Sequence, residues 1–127
     1  MKGKKIFIID DDANYIESVK MMLEARGFTV DFALNGKQGL EQAKIFCPNL
    51  ILLDVMMASR SEGFEISREF AKDEKLKSIP VILVTGIRNE MNLPFGFEPD
   101  QKWIPVKEIL EKPIMPERLL KVIEKHI

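Results

Sequence analysis

Cysteine, histidine and long apolar runs are scarce in this sequence of 127 residues. Cys47 is the only cysteine and His126 the only histidine, which excludes intrachain disulfides and zinc sites built from several such residues. We expect Cys47 to be a small buried filler and His126 to lie at a frayed C-terminal surface. No apolar run approaches the roughly 18 residues of a membrane span. The basic N-terminus precedes too short an apolar stretch for a signal peptide, so we expect a cytoplasmic protein without a membrane partner.

An excess of positive charge is also absent. The formal net charge is -1 with 31% charged residues, so no basic stripe suggests direct binding to nucleic acid. What is present is 46% hydrophobic content in a chain of ordinary domain size, which is enough for a core. We expect residues 1–127 to form one domain, with no output domain in this chain.

Strand-like and helix-like segments alternate, which is typical of βαβ units with a parallel sheet. The predicted strands are Lys5 to Asp10, Phe28 to Ala33, Leu50 to Asp54, Val81 to Thr85 and Ile109 to Glu111. The predicted helices run from about Ala13 to Arg26, from an Asn35-Gly36 turn to Pro48, through Phe64 to Phe70, and onward from Pro116. Between Gly86 and Pro105, Pro94 and Pro99 limit the prediction to a short helical start near Asn89 to Leu93 followed by irregular chain.

Several of the apolar runs end in reactive polar groups. The first runs into Asp10-Asp11-Asp12, the third ends in Asp54, the fourth in Thr85, and the fifth in Glu111-Lys112. In a parallel sheet these ends meet at one edge, which is where open α/β folds build ligand sites. Phosphoryl transfer needs a nucleophile, a divalent cation and a fixed cation or hydroxyl. This set of side chains offers a carboxylate nucleophile, oxygen ligands for a divalent cation, and both a fixed cation and a hydroxyl.

Asp10 and Asp11 carry the hard oxygen ligands that magnesium prefers, and Asp54 would be a third oxygen donor and the nucleophile. Lys112 and the metal would offset the repulsion between the carboxylates. Each residue also has an ordinary interpretation: Asp12 as a helix cap, Asp54 as a turn former, Thr85 as a strand residue and Lys112 as a surface charge. All of these ordinary interpretations would have to be correct for residues that meet at one sheet edge. That coincidence is improbable, which favours the functional interpretation.

With these residues identified, the chain resembles the receiver domain of two-component response regulators over nearly its whole length. The motifs that carry the resemblance are Ile8-Ile9-Asp10-Asp11-Asp12, Leu52-Leu53-Asp54-Val55-Met56-Met57, Gly63-Phe64-Glu65, Ile79-Pro80-Val81 through Thr85, and Glu111-Lys112-Pro113. Their order and near-regular spacing make the resemblance specific.

The resemblance implies a flavodoxin-like, doubly wound, five-stranded parallel sheet of order 2-1-3-4-5 with helices on both faces. It implies that Asp54 accepts a phosphoryl group from the phosphohistidine of a sensor histidine kinase or phosphotransfer protein. Magnesium or manganese would be bound by Asp11 directly, by Asp10 through water, and by Asp54 and the backbone carbonyl of Met56. Further implied phosphate contacts come from Thr85, Lys112 and the amide of Gly86.

The implied activity is a phosphorylation-driven switch rather than an enzyme that turns over an external substrate. It would act on a downstream protein that the sequence does not name, as a monomer or weak homodimer. The chain departs from the family pattern at Ala58, where a proline is usual, in a slightly longer loop from Ala58 to Glu62, and in a longer interval from Thr85 to Lys112.

The fourth-helix region is therefore atypical. Ile109 stands where an aromatic switch residue is expected, so Trp103 or a refolding of Gly86 to Pro105 would have to report phosphorylation instead. Met56 and Arg88 lack an acid or amide group that would orient an attacking water, which predicts slow self-dephosphorylation.

Two alternatives stay open at this point. One is a docking module with a degenerate receiver fold, in which Asp54 is never phosphorylated. The other is a metal-dependent phosphohydrolase of the haloacid-dehalogenase type, because Asp10 and Asp12 form an Asp-x-Asp pair after the first strand. In that case Asp10 would be the nucleophile, although the chain has no spare segment for a substrate-enclosing cap.

Overall fold

A computed structural model describes residues 3–54, 68–70, 72–85, 106–111 and 114–127. Its elements are β1 (Lys5–Ile9), α1 (Ala13–Ala25), β2 (Thr29–Ala33), α2 (Gly36–Phe46), β3 (Leu50–Asp54), β4 (Val81–Thr85), β5 (Val106–Glu111) and α3 (Pro116–His126). Residues 68–70 and 72 are also helical, and the first three lie inside the segment from Phe64 to Phe70 for which the sequence predicts a helix.

The five strands form one parallel sheet of order β2-β1-β3-β4-β5, which confirms the predicted flavodoxin-like topology. The prediction for β5 was too short, because the strand begins at Val106 rather than at Ile109. Because Lys107 and Glu108 are polar, the apolar pattern does not mark the first part of this strand. Polar residues are common there because β5 lies at the edge of the sheet. A register shift between Val81 and Ile82 accompanies this pairing.

The core lies on both faces of the sheet, since successive strand residues point to opposite sides. On the face covered by α1 and α3, the buried cluster contains Ile6, Ile8, Ile16, Val19, Leu23, Phe28, Val30, Leu50, Leu52, Ile82, Leu110, Leu119, Leu120, Val122 and Ile123. On the face covered by α2, it contains Phe7, Ile9, Ala33, Ala43, Ile51, Leu53, Phe70, Leu76, Val81 and Leu83. Burial on both faces explains why β1 and β3 are apolar without alternation.

Helix α1 begins and ends at the residues that its sequence signals indicate. The side chain of Asp12 caps it by accepting hydrogen bonds from the N–H groups of Asn14 and Tyr15 at 3.0 and 3.1 Å. After the C-cap at Arg26, Gly27 takes a φ of 93°, a left-handed conformation that glycine adopts without strain.

Helix α2 differs from the prediction at its start, whereas it ends just before Pro48 as predicted. Asn35 caps the helix by accepting a hydrogen bond from the N–H of Gln38 at 2.8 Å, and Gly36 is the first helical residue rather than part of a turn. Cys47 is exposed, so the prediction of a buried filler was wrong. It is the C-cap residue with a φ of 54°, and a residue at that position points away from the core as the chain turns toward Pro48.

Glycine at position 39 lets α2 approach β1 closely. A Cβ built on Gly39 would lie 2.6 Å from Cδ1 of Ile9 and 2.8 Å from its Cγ1. Ile9 is fully buried, so its side chain fills the space that any larger residue at position 39 would need. This contact sets the depth at which α2 packs beside the end of β1.

At the C-terminal end of the chain, His126 is half-buried in the last turn of α3 rather than on a frayed surface.

Candidate functional site

The strand register brings two aspartates to the same edge of the sheet. Ile9 of β1 pairs with Leu53 of β3, so Asp10 and Asp54, the next residue of each segment, lie side by side at the carboxyl ends of adjacent parallel strands. Both residues are buried, with exposures of 1% for Asp10 and 5% for Asp54. They are the only buried charged residues in the part of the chain that the structure describes.

Asp11 completes an acidic cluster with these two residues. One carboxylate oxygen from each of Asp10, Asp11 and Asp54 lies within 4.8 Å of the other two, and Asp11 is the exposed member. Oxygens around a magnesium ion are separated by about 3–4 Å, since the metal–oxygen distance is near 2.1 Å in an octahedron. The donor set therefore fits a small hard divalent cation, with one side open to solvent for bound water.

Backbone hydrogen bonds hold Asp10 in place. Its N–H donates to the carbonyl oxygen of Ala33 at 3.2 Å, which extends the β1–β2 pairing by one residue. Its Oδ1 accepts a hydrogen bond from the N–H of Asp12 at 2.9 Å. Asp12 itself is exposed and lies outside the acidic cluster, so its interpretation as a helix cap is confirmed.

Tyr15 approaches the cluster from α1, and the sequence interpretation did not single it out. Burial raises the pKa of Tyr15 to about 12, and the negative charges of Asp10 and Asp54 add to that rise. The hydroxyl therefore stays protonated at neutral pH and lies within the electrostatic reach of both acids. The sequence carries no local signal for this role, because Asp10 precedes α1 and Asp54 is brought near Tyr15 only by the fold.

Of the remaining predicted site residues, the structure describes only the backbone of Thr85. The backbone of Thr85 pairs with Glu111 at the same sheet edge, and Val84, the residue before it, pairs with Asp54. Met56, Gly86 and Lys112 lie outside the described residues. So do other positions that entered the predictions: Ala58 to Gly63, Arg88, Trp103, Asn89 to Leu93 and the rest of the interval up to Pro105.

Comparison with known proteins gives this arrangement its context. The family model described as the response regulator receiver domain matches residues 6–124. The chain belongs to this family. The receiver domain is 34% identical to protein PilH of Pseudomonas aeruginosa over 119 residues, which cover 94% of this chain and 93% of PilH. The predicted resemblance to response regulators is thereby confirmed.

Two further relatives show the range of lengths. The polar-differentiation response regulator DivK of Brucella anthropi is 27% identical, with 98% of this receiver domain and 96% of DivK covered. The phosphate regulon transcriptional regulatory protein PhoB of Pseudomonas aeruginosa is 33% identical, but the match covers 94% of this chain and only 50% of PhoB. The receiver domain thus spans about half the length of some of its curated relatives.

A solved structure confirms the fold. The CheY-like receiver domain protein of Methanospirillum hungatei superposes with a TM-score of 0.82 at 28% identity, covering 98% of this chain and 93% of that one. Receiver domains are phosphorylation-based signalling switches of two-component systems, and as a family they bind magnesium at an acidic pocket. Among the described helices of this one, none has the length and apolar character needed to cross a membrane.

Proposed function

We propose that this receiver domain accepts a phosphoryl group on Asp54 from the phosphohistidine of a sensor histidine kinase or phosphotransfer protein. The observation that carries the proposal is the acidic cluster of Asp10, Asp11 and Asp54 at the carboxyl edge of a receiver-type sheet. Asp54 ends the central strand β3, which pairs with β1 up to Leu53 and with β4 through Asp54 itself. A nucleophile held on a rigid strand needs little reorganisation before attack.

In this proposal an oxygen of the Asp54 carboxylate attacks the phosphorus atom. The phosphorus–nitrogen bond to the donor imidazole breaks, and the imidazole leaves with the bonding electron pair. The burial of Asp54 limits the approach of competing water, whereas the exposed side of the cluster at Asp11 leaves a path for the donor. The product is an aspartyl phosphate in a site that already carries the charges of Asp10 and Asp11.

That accumulation of negative charge is the reason for a cation in the proposal. Magnesium or manganese, when bound, supplies positive charge that offsets the phosphoryl oxygens and the carboxylates. We propose Asp10, Asp11, Asp54 and the backbone carbonyl of Met56 as its protein partners. All are oxygen donors, in keeping with the preference of these metals.

Three further residues complete the proposed phosphate site. Lys112 follows β5 directly, and its ammonium group would pair with the phosphoryl oxygens. Thr85, at the end of β4, would contribute a hydroxyl, and Gly86 a backbone amide. The support for Thr85 is that its strand ends beside β3 at the same sheet edge as Asp54.

At the level of the whole protein, we propose a single receiver domain over residues 1–127 that works in the cytoplasm as a monomer or weak homodimer. It would pass the signal by a conformational change to a downstream protein, without direct contact to nucleic acid or a membrane. Its only chemistry would be self-phosphorylation and self-dephosphorylation, not turnover of an external substrate.

The test is the intact mass of the protein after incubation with acetyl phosphate and magnesium. The proposal expects a gain of one phosphoryl group in the wild type, the same gain at a reduced rate in Asp10→Asn, and no gain in Asp54→Asn. A gain that is lost only when Asp10 is replaced would support the phosphohydrolase alternative. No gain in any variant would support the docking module.

A second measurement tests the metal site by itself. Asp11 is exposed and lies outside the core clusters, so Asp11→Asn should leave the fold intact. Titration calorimetry should show weak saturable magnesium binding by the wild type and loss of that binding in Asp11→Asn. Equal affinities in the two proteins would remove Asp11 from the proposed metal site.

A further inference from the structure

Asp12 is the acidic residue of the Asp10-Asp11-Asp12 run that the proposed function leaves without a role. It is exposed and lies outside the cluster formed by Asp10, Asp11 and Asp54. Its side chain is nevertheless ordered by two hydrogen bonds, because Oδ1 accepts from the N–H groups of Asn14 and Tyr15. The first turn of α1 therefore fixes the orientation of residue 12.

The backbone of the same residue is bonded to the cluster. The N–H of Asp12 donates to Oδ1 of Asp10 at 2.9 Å, and the carbonyl oxygen of Asp12 accepts the first intrahelical bond from the N–H of Ile16 at 3.0 Å. A carboxylate is planar, so holding one oxygen of Asp10 also restricts where its other oxygen can lie. The helix cap and the acidic cluster are thus joined through the backbone of one residue.

We propose that Asp12 is a positioning residue for the divalent cation: by capping α1, it fixes the amide that orients the Asp10 carboxylate. This inference rests on the proposed function, since it concerns the same metal site. It assigns no metal–oxygen contact to Asp12. The residue acts through its own backbone N–H, and that N–H is held in place by its own side chain.

The cap matters because the N-terminal amides of a helix otherwise lack partners. Without an acceptor at position 12, the first turn of α1 can fray, while the rest of the helix stays anchored by Ile16, Val19 and Leu23. Fraying would move the amide of residue 12 away from Oδ1 of Asp10. Partners that orient metal ligands from outside the coordination shell contribute about 10–100-fold in affinity, and we expect the lower end of that range for Asp12→Ala.

Substitutions at position 12 separate this role from two others. Asn and Ser accept hydrogen bonds at a helix N-cap as Asp does, but they carry no charge. If Asp12 positions Asp10, Asp12→Asn and Asp12→Ser should keep magnesium affinity within about twofold of the wild type, whereas Asp12→Ala loses about tenfold. If Asp12 acted only through its charge, or as a direct ligand, Asn, Ser and Ala would all weaken binding to a similar extent.

The matched control is the cap of α2. Asn35 accepts a hydrogen bond from the N–H of Gln38, as Asp12 does in α1, and no described hydrogen bond joins its side chain to the acidic cluster. Asn35→Ala should therefore lower the melting temperature by an amount similar to that of Asp12→Ala but leave magnesium affinity unchanged. Equal losses of affinity in both variants would mean that general destabilisation is responsible, which overturns the proposal.

The experiment is calorimetric titration of magnesium into the wild type and these variants, with melting temperatures recorded for each protein. If Asp12→Ala does not fold, Asp12→Gly removes the same acceptor with a smaller loss of helix stability and carries the test. Wild-type affinity in the folded Ala or Gly variant overturns the inference alone. Absence of saturable magnesium binding by the wild type overturns both the inference and the metal site of the proposed function.

Discussion

The contact between α2 and the end of β1 predicts that Gly39→Ala changes the free energy of unfolding in a direction that depends on the side chain of Ile9. In a Gly39→Ala variant with an unchanged backbone, the new Cβ would lie 2.6 Å from Cδ1, 2.8 Å from Cγ1 and 3.2 Å from Cγ2 of the fully buried Ile9. Overpacking of this kind costs about 1–3 kcal/mol. Alanine is favoured over glycine inside a helix by about 1 kcal/mol, so we expect a net destabilisation of about 1 kcal/mol.

The same substitution should become stabilising when Ile9 is replaced by alanine. Ile9→Ala alone should cost about 2–5 kcal/mol through lost burial and a cavity. It also removes all three atoms that the new methyl group would meet. In that background Gly39→Ala keeps its helix advantage and fills part of the cavity, so it should stabilise by about 1–2 kcal/mol.

The assay is equilibrium urea unfolding of the four proteins of this cycle, followed by far-UV circular dichroism. Ser18→Ala, at an exposed position of α1, serves as the control for helix propensity alone and should be neutral or slightly stabilising. Stabilisation by Gly39→Ala in both backgrounds would refute the reasoning. It would mean that α2 can move away from Ile9 without cost.

Two further predictions concern single residues. Cys47→Gly should stabilise the protein by about 1 kcal/mol, because Cys47 has a φ of 54° and glycine adopts this conformation freely; a lower melting temperature would contradict this. Tyr15, the single tyrosine, should ionise near pH 12 in the folded protein and near pH 10 in urea when followed by ultraviolet absorbance. Because folding raises this pKa, the stability from neutral Tyr15 is complete below pH 10 and lost between pH 10 and about 12. Asp54→Asn should lower the folded midpoint, and an unchanged midpoint would exclude the charge of Asp54 as a cause.

Much of the site follows from sequence because its residues stand where strands end. The apolar runs before Asp10 and Asp54 fix both strands, and parallel pairing then puts both residues at one edge without knowledge of any contact. The cap at Asp12 is equally local, since an N-cap acceptor bonds to amides two or three residues along the chain.

The features that escaped prediction depend on how elements pack in three dimensions. Gly39 carries no signal for its contact with Ile9, because the two residues meet only when α2, which connects β2 to β3, packs beside β1. Tyr15 looks like an ordinary helix residue until the fold brings Asp54 near it. Cys47 is a small residue that sequence reasoning places in the core, but the backbone conformation at the end of α2 turns it outward.

The central claim, that Asp54 is the phosphoryl acceptor, is tested most directly by locating the phosphoryl group. Borohydride reduces an aspartyl phosphate to homoserine, which marks the modified position permanently for peptide mapping by mass spectrometry. After treatment of the wild type with acetyl phosphate and magnesium, the account predicts homoserine at position 54. Homoserine at position 10 or 11, or no homoserine in a protein that has gained a phosphoryl group, would contradict it.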